Sequence, residues 1–184
     1  EKGKNPTIAP YAKQGEVQLR ITAAAPTREA ADALIQPEVD AICAKLREYV
    51  YGVDIGNQET ALVELLCQKH AKIATAESCT GGLLSKRITD VAGASEVFEF
   101  GVCTYANRMK EQVLGVSKHD LDTLGAVSPE VAAQMASGAR RVAGAEVGIG
   151  ITGIAGPGGG TPEKPVGLIY IAVDSPNYTH VEKY

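Results

Sequence analysis

From residue 57 to residue 173, stretches with apolar residues at helical spacing alternate with short apolar runs of strand length. That alternation constrains the fold more than any other feature, because strands buried within a sheet need helices to cover its faces. Asn57 is placed to cap a helix whose inward stripe is Ala61, Leu62, Leu65 and Leu66. Residues 72–76 read as a strand, followed by Glu77-Ser78-Cys79-Thr80-Gly81-Gly82 and a helix through Leu83, Leu84 and Ile88. Residues 97–105 are strand-like, and Asn107 is placed to cap a helix that includes Val113 and Leu114. Ser128-Pro129 is a cap with proline at the first helical position, opening a helix to about Val142. Residues 146–152 and 166–173 are the last two strong strands, so the order describes a three-layer α/β/α domain of unspecified strand order.

The residues before this alternation form a smaller unit. Residues 1–15, with Pro6 and Pro10, read as an extended or irregular lead-in, whereas residues 16–22 alternate at period two like a strand. Thr27 caps a helix through Ala30, Ala31 and Leu34, and Pro37 starts another with Val39, Ile42, Cys43 and Leu46 inward. Tyr49-Val50-Tyr51 reads as a second short strand ended by Gly52. The expected division is a small α+β module over 1–55 and a larger domain over 56–184.

Charge and cysteine usage exclude several function classes. A net charge of -4 and a pI near 5.4 give no general attraction to polyanions, so nucleic acid is not the expected partner. No apolar run has membrane-spanning length, and the opening Glu1-Lys2-Gly3-Lys4 has no apolar segment behind it. Cys43, Cys67, Cys79 and Cys103 have the spacing of neither a disulfide framework nor a zinc knuckle, and His70, His119 and His180 are equally scattered. Reduced thiols in a cytoplasmic protein without a metal site are the expectation.

Three constellations carry candidate chemistry. In Thr75-Ala76-Glu77-Ser78-Cys79-Thr80-Gly81-Gly82 a strand ends and a helix begins, which brings Ser78 and free N–H groups to the rim of the sheet. The same residues suit a plain helix cap, and both glycines follow the serine, unlike the G-x-S-x-G elbow. In Tyr105-Ala106-Asn107-Arg108-Met109-Lys110, Lys110 falls in the first helical turn, where the macrodipole disfavours a cation. Burial there would favour the neutral amine that a Ser-Lys hydrolase uses as a base, whereas a solvated lysine would do nothing of the kind. The Tyr105 hydroxyl is placed to orient either group or simply to meet water.

The third constellation runs from Thr152 through Gly153, Gly156 and Gly158 to Thr161, a loop between two strands with little bulk and many accessible N–H groups. It can cradle a phosphate or an oxyanion, or serve as a turn. Residues 148–153 spell G-x-G-x-x-G, but the glycines lie in a strand with no helix after it, so a Rossmann reading fails. A Walker A ending is missing as well, and Asp120 and Asp122 flank turns without a cleft.

Together these motifs, with Leu114-Gly115-Val116 and Lys164-Pro165-Val166-Gly167, resemble the C-terminal domain of the CinA (competence/damage-inducible) family. The resemblance implies a nicotinamide-nucleotide amidase that converts nicotinamide mononucleotide and water to nicotinic acid mononucleotide and ammonia. It assigns Ser78 as nucleophile, Lys110 as general base and Tyr105 as helper, with no metal or organic cofactor. Thr75, Cys79, Thr80, Gly81, Gly82, Asn107, Thr152, Gly153, Gly156 and Gly158 are the expected substrate-binding positions. Residues 5–55 look like the KH-like middle module of longer members, although they lack the G-x-x-G clamp that grips nucleic acid. The ADP-ribose pyrophosphatase activity linked to those members' N-terminal domain is not expected of this chain. Family members continue past the last strand into a further strand and a closing helix, so truncation is expected, along with homodimer formation. A non-catalytic nucleotide-binding or regulatory module is the alternative.

Overall fold

The computed structural model describes residues 5–184, so the polar opening Glu1–Lys4 lies outside the described residues. The chain divides into two compact units, Glu1–Ala61 and Leu62–Tyr184.

In the first unit, strands β1 (Thr7–Lys13) and β2 (Glu16–Thr22) form an antiparallel hairpin, turning at Gly15 with φ near +78°. The lead-in expected to be irregular is therefore largely strand, and Pro10 sits within it opposite Leu19. Proline is tolerated because an edge strand need not donate every ladder bond. Asn5 ties the start of the hairpin down, its amide exchanging hydrogen bonds with the main chain of Ala24 at 2.8 and 2.9 Å.

Helix α1 (Arg28–Leu46) starts where expected, with Thr27 Oγ1 accepting from the Ala30 N–H at 3.2 Å. It runs unbroken through Pro37, one helix where two were expected. A side-chain bond from Gln36 to Asp40 at 2.8 Å spans the proline. The expected strand at Tyr49–Tyr51 is instead a 3₁₀ turn (Arg47–Tyr49) and a short extended exit. The Tyr51 hydroxyl donates to Glu16 at 2.7 Å, so a side chain holds this segment where a strand ladder was expected. No residue of β1, β2 or α1 is fully buried.

The second unit is built on a five-stranded mixed sheet in the order β4-β3-β5-β6-β7. Its strands are β3 (Ile73–Glu77), β4 (Phe98–Cys103), β5 (Val147–Gly153), β6 (Ile169–Ser175) and β7 (Tyr178–Lys183). β3 runs parallel to both its neighbours, whereas β6 and β7 are antiparallel additions. The helices are α2 (Gln58–Lys69), α3 (Leu83–Thr89), α4 (Asn107–Leu114), α5 (Lys118–Thr123) and α6 (Pro129–Ala143).

Alternation along β3 sends successive side chains to opposite faces. Ile73 joins Val63 of α2 and Ile88 of α3 in one core, while Ala74 and Ala76 join Leu114, Leu121, Val131 and Met135 in another. Mixed α/β architecture with helices over both faces is thus observed. Helix α6 lies unusually close to the sheet: a Cβ on Gly150 would stand 2.3 Å from the Ala132 carbonyl oxygen, and one on Gly148 2.1 Å from that of Ala136. The strand glycines of the rejected dinucleotide motif therefore serve helix–sheet packing.

Sequence reading missed three elements in this unit: a 3₁₀ turn at Ala94–Glu96, α5 and β7. α5 holds Asp120 and Asp122, expected beside turns, and Ser117 caps it by accepting from the Asp120 N–H at 3.3 Å. β7 pairs along β6, beyond what were read as the last two strong strands. No helix among the described residues is long and apolar enough to cross a membrane.

Candidate functional site

The connection β3-α3-β4 covers one face of the sheet, and β4-α4-α5-α6-β5 covers the other. The carboxyl end of β3, where the chain path reverses, is therefore the place at which an open α/β sheet gathers a ligand. Ser78 is the first residue past that end. It is 7% exposed, and its N–H donates to the Ile151 carbonyl of β5 at 3.0 Å, which extends the ladder and fixes the residue.

Glu77, the residue before it, is fully buried and caps α3 across the intervening loop. Its carboxylate accepts from the N–H groups of Leu84 at 3.0 Å and Ser85 at 2.8 Å, and from the Ser85 hydroxyl at 2.8 Å. Burial alone would raise its pKa, but these hydrogen bonds outweigh that and hold the group below its ordinary range. The start of α3 is thus already occupied by an anion of the protein itself. Sequence reading passed over Glu77, because an acid preceding a serine carries no local signal of capping so far ahead.

Lys110 reaches Ser78 from α4. It is 1% exposed, which overturns the solvated reading. Nζ lies 3.0 Å from Ser78 Oγ, 2.7 Å from the Thr104 carbonyl oxygen and 3.2 Å from that of Tyr105. Desolvation lowers its pKa, with the nearby thiols of Cys103 and Cys79 opposing. None of the three partners bears a charge. Two are carbonyls, which can only accept, and one is a hydroxyl, which can donate. A neutral amine, with two N–H groups and a lone pair, satisfies that set completely.

Above the pair lies a cleft of about 280 Å³. Ser78, Cys79, Tyr105 and Lys110 form one part of its lining, Ala126 and Val127 another, and Thr152 to Gly156 with Gly158 and Gly159 the rest. Tyr105 is 77% exposed, and its bond to Lys110 is through its main-chain carbonyl. Cys79 is half-buried, and burial pushes its thiol pKa up. Thr152 is buried and donates from Oγ1 to the Ala126 carbonyl at 2.8 Å.

Of the expected positions, Ser78, Cys79, Tyr105, Lys110, Thr152, Gly153, Gly156 and Gly158 meet around this cleft. Thr75, Thr80, Gly81, Gly82 and Asn107 do not line it. Thr75 is fully buried, its hydroxyl 2.7 Å from that of Ser85. Gly81 and Gly82 adopt φ near +62° and +99° and turn the chain into α3. Asn107 is exposed and belongs to α4 itself, whose cap position is Ala106, so the expected side-chain cap is absent. Ile154, Ala155 and Gly159 line it as part of the glycine loop singled out in the sequence, whereas Ala126 and Val127 went unrecognised, since small apolar loop residues carry no chemical signature. Among the described residues, no three His, Cys, Asp or Glu side chains cluster as metal ligands would.

A family model for the CinA C-terminal domain matches residues 56–184, and one for the damage-inducible protein CinA KH domain matches residues 1–52. The chain belongs to the CinA family. A CinA-like protein of Desulfovibrio desulfuricans is 55% identical over 175 residues, covering 95% of this chain and 41% of its own length. A CinA-like protein of Kosmotoga olearia is 52% identical over 183 residues, covering 100% of this chain and 44% of its own length. The chain therefore spans less than half the length of the curated CinA relatives it matches.

Solved CinA-family structures agree in fold. The competence/damage inducible protein CihA of Agrobacterium tumefaciens superposes with a TM-score of 0.67 at 41% identity, covering 68% of this chain and 76% of that one. A CinA superfamily protein of Escherichia coli gives a TM-score of 0.66 at 31% identity, over 76% of this chain and 84% of that one.

Proposed function

We propose that the unit Leu62–Tyr184 is a nicotinamide-nucleotide amidase that hydrolyses nicotinamide mononucleotide to nicotinic acid mononucleotide and ammonia. The observation that carries this reading is the buried lysine with only neutral partners, 3.0 Å from a serine hydroxyl at the floor of a cleft. In neutral form Lys110 takes the proton of Ser78 as Oγ attacks the carboxamide carbon. The tetrahedral adduct collapses with cleavage of the C–N bond, protonated Lys110 gives its proton to the departing ammonia, and an acyl ester on Ser78 remains. Water, deprotonated by Lys110, attacks that ester, the C–Oγ bond breaks as Lys110 returns the proton to Ser78 Oγ, and the nicotinate nucleotide leaves.

The oxyanion needs N–H donors beside Ser78. Of the candidates from Ser78 to Gly81, the N–H groups of Ser78 and Gly81 are already donated, to Ile151 and Ser78 carbonyls. Those of Cys79 and Thr80 go to no backbone carbonyl among the described residues outside helices and strands, and we assign them to the oxyanion. The N-terminus of α3 is closed to the substrate phosphate by Glu77. The phosphate then falls to the glycine wall at Gly156, Gly158 and Gly159.

Ammonia release from nicotinamide mononucleotide by the chain, beside a folded Ser78→Ala variant, tests the reading. Release by the wild type that disappears in the variant supports it. Nucleotide binding by a wild type that never turns over would instead establish a non-catalytic binding module built on the glycine wall.

A further inference from the structure

We infer that Lys164 is a positioning residue, whose ammonium fixes the shape of the cleft by pinning the returning arm of its glycine-rich wall to the segment at residues 124–127. The kinetic part of this inference rests on the amidase reading; the structural part does not.

The glycine wall is closed at its base, where the Ile154 N–H donates to Leu168 at 2.9 Å and the Gly167 N–H donates to Ile154 at 2.8 Å. Its returning arm packs on Val166: a Cβ on Gly156 would stand 2.6 Å from Val166 Cγ1, and one on Gly160 2.7 Å from Val166 N. Just beyond, the Thr161 N–H donates to the Lys164 carbonyl at 2.8 Å, and the Lys164 N–H donates back to Thr161 Oγ1 at 3.1 Å. The Lys164 backbone is thus held firmly to the arm.

From that anchor Nζ reaches the segment at residues 124–127 and donates to the carbonyls of Leu124 at 2.6 Å and Val127 at 2.7 Å. The two carbonyls between them are also taken, Gly125 by the Ser128 hydroxyl at 3.3 Å and Ala126 by the Thr152 hydroxyl at 2.8 Å. Four consecutive carbonyls are therefore fixed by side chains. Ser128 caps α6, whereas Thr152 lies at the start of the glycine segment, so Thr152 holds Ala126 to the base of that segment and Lys164 holds Leu124 and Val127 to its returning arm. Lys164 does not line the cleft, but Val127, Gly156, Gly158 and Gly159 do. Its removal touches no bond of Ser78 or Lys110 and releases the returning arm from residues 124–127, while the Thr152 bond at the base remains.

The test uses the full chain with Lys164→Ala and, should that variant fail to fold, Lys164→Met. Steady-state turnover of nicotinamide mononucleotide is followed by nicotinic acid mononucleotide formation, and backbone hydrogen exchange is read over residues 153–160. The expected result is a KM raised about tenfold or more with kcat changed less than about threefold, because the slot that orients the substrate is loosened while the chemistry is intact. Exchange over 153–160 should speed up, and n-propylammonium, which replaces the missing ammonium in the alanine variant, should reverse both effects. Lys164→Arg, which retains donors, should recover part of the KM.

Wild-type KM with wild-type exchange in the variant overturns the inference, as does a fall in kcat at unchanged KM. A wild type that never turns over the nucleotide sinks the amidase reading alone. Exchange then decides by itself: faster exchange in the variant supports the pin, and unchanged exchange refutes it.

Discussion

Lys110 Nζ and Ser78 Oγ stand 3.0 Å apart although 32 positions separate them in sequence. Parallel pairing brings them together: Glu77 at the end of β3 is in register with Cys103 at the end of β4, and the Thr104 N–H donates to the Glu77 carbonyl at 2.9 Å. The next residues of both strands then leave the sheet side by side. Helix α4, beginning at Asn107, returns its first turn over that exit and drops Lys110 onto Ser78.

The lysine should impose a pH dependence on turnover. Burial lowers its pKa, so the neutral amine that the proposed mechanism requires accumulates along a limb that lies below 10.5. A kcat/KM profile should rise with pH through that limb. Lys110→Met should abolish the limb and lower kcat by about 10²–10⁴-fold while nucleotide binding persists. Full turnover by that variant would exclude the lysine as base.

Stability should carry the same signature. Between the lowered folded-state pKa and 10.5 the unfolded chain binds more protons at Lys110 than the native one, so this residue's contribution becomes more favourable as pH rises. Denaturant melts of wild type and Lys110→Met should show a stability difference that shifts toward the wild type as pH increases across that window. A difference independent of pH would mean that the lysine titrates alike in both states.

Glu77→Gln should lower unfolding free energy by about 1–3 kcal/mol, since charge-assisted bonds to two helix N–H groups are weakened in a buried site. The folded-state pKa of Glu77 is depressed, so its contribution is present above 4.5 and is lost as pH falls through the lower folded value. The deficit of the variant should accordingly persist at neutral pH and shrink only in acid. Urea titrations at pH 7 and in mild acid would measure both.

Gly150→Ala should destabilise by about 1–3 kcal/mol or more, because the new methyl would meet backbone atoms of Ala132 and Ala136 at 2.3 and 2.5 Å. Backbone cannot give way as a flexible side chain does. Thermal unfolding of the variant checks this, and a wild-type midpoint would show that α6 can lift from the sheet.

The sequence exposed the parts of this molecule whose physics is local. Ser128 before Pro129 reads as a helix start because cap and first turn lie next to each other, and the Ser128 hydroxyl does accept from the Val131 N–H at 3.3 Å. Likewise β3 reads as a strand from its own five buried residues. What escaped depends on distant partners. β7 offers only Val181 as a half-buried apolar position, so its strand identity comes from pairing with β6. Pro10 suggested a break that the register with Leu19 overrides.

At the site, residue types announced Ser78, Lys110 and the glycine loop, but not that Lys110 would be buried. That follows from the exit geometry of β3 and β4, which no local pattern encodes. Thr75 and Asn107, chosen for their place in the motifs, prove to hold the scaffold: one binds Ser85 inside the sheet layer, the other faces outward on α4.

The glycine wall joins β5 to β6, two strands paired directly with each other from Gly153 opposite Ile169. Its tip around Gly158 and Gly159 is exposed, so residues gained or lost there leave the register of every strand unchanged. Diversification can consequently proceed at this one hairpin tip: a lengthened wall would narrow the cleft and a shortened one would widen it, with Ser78 and Lys110 left undisturbed.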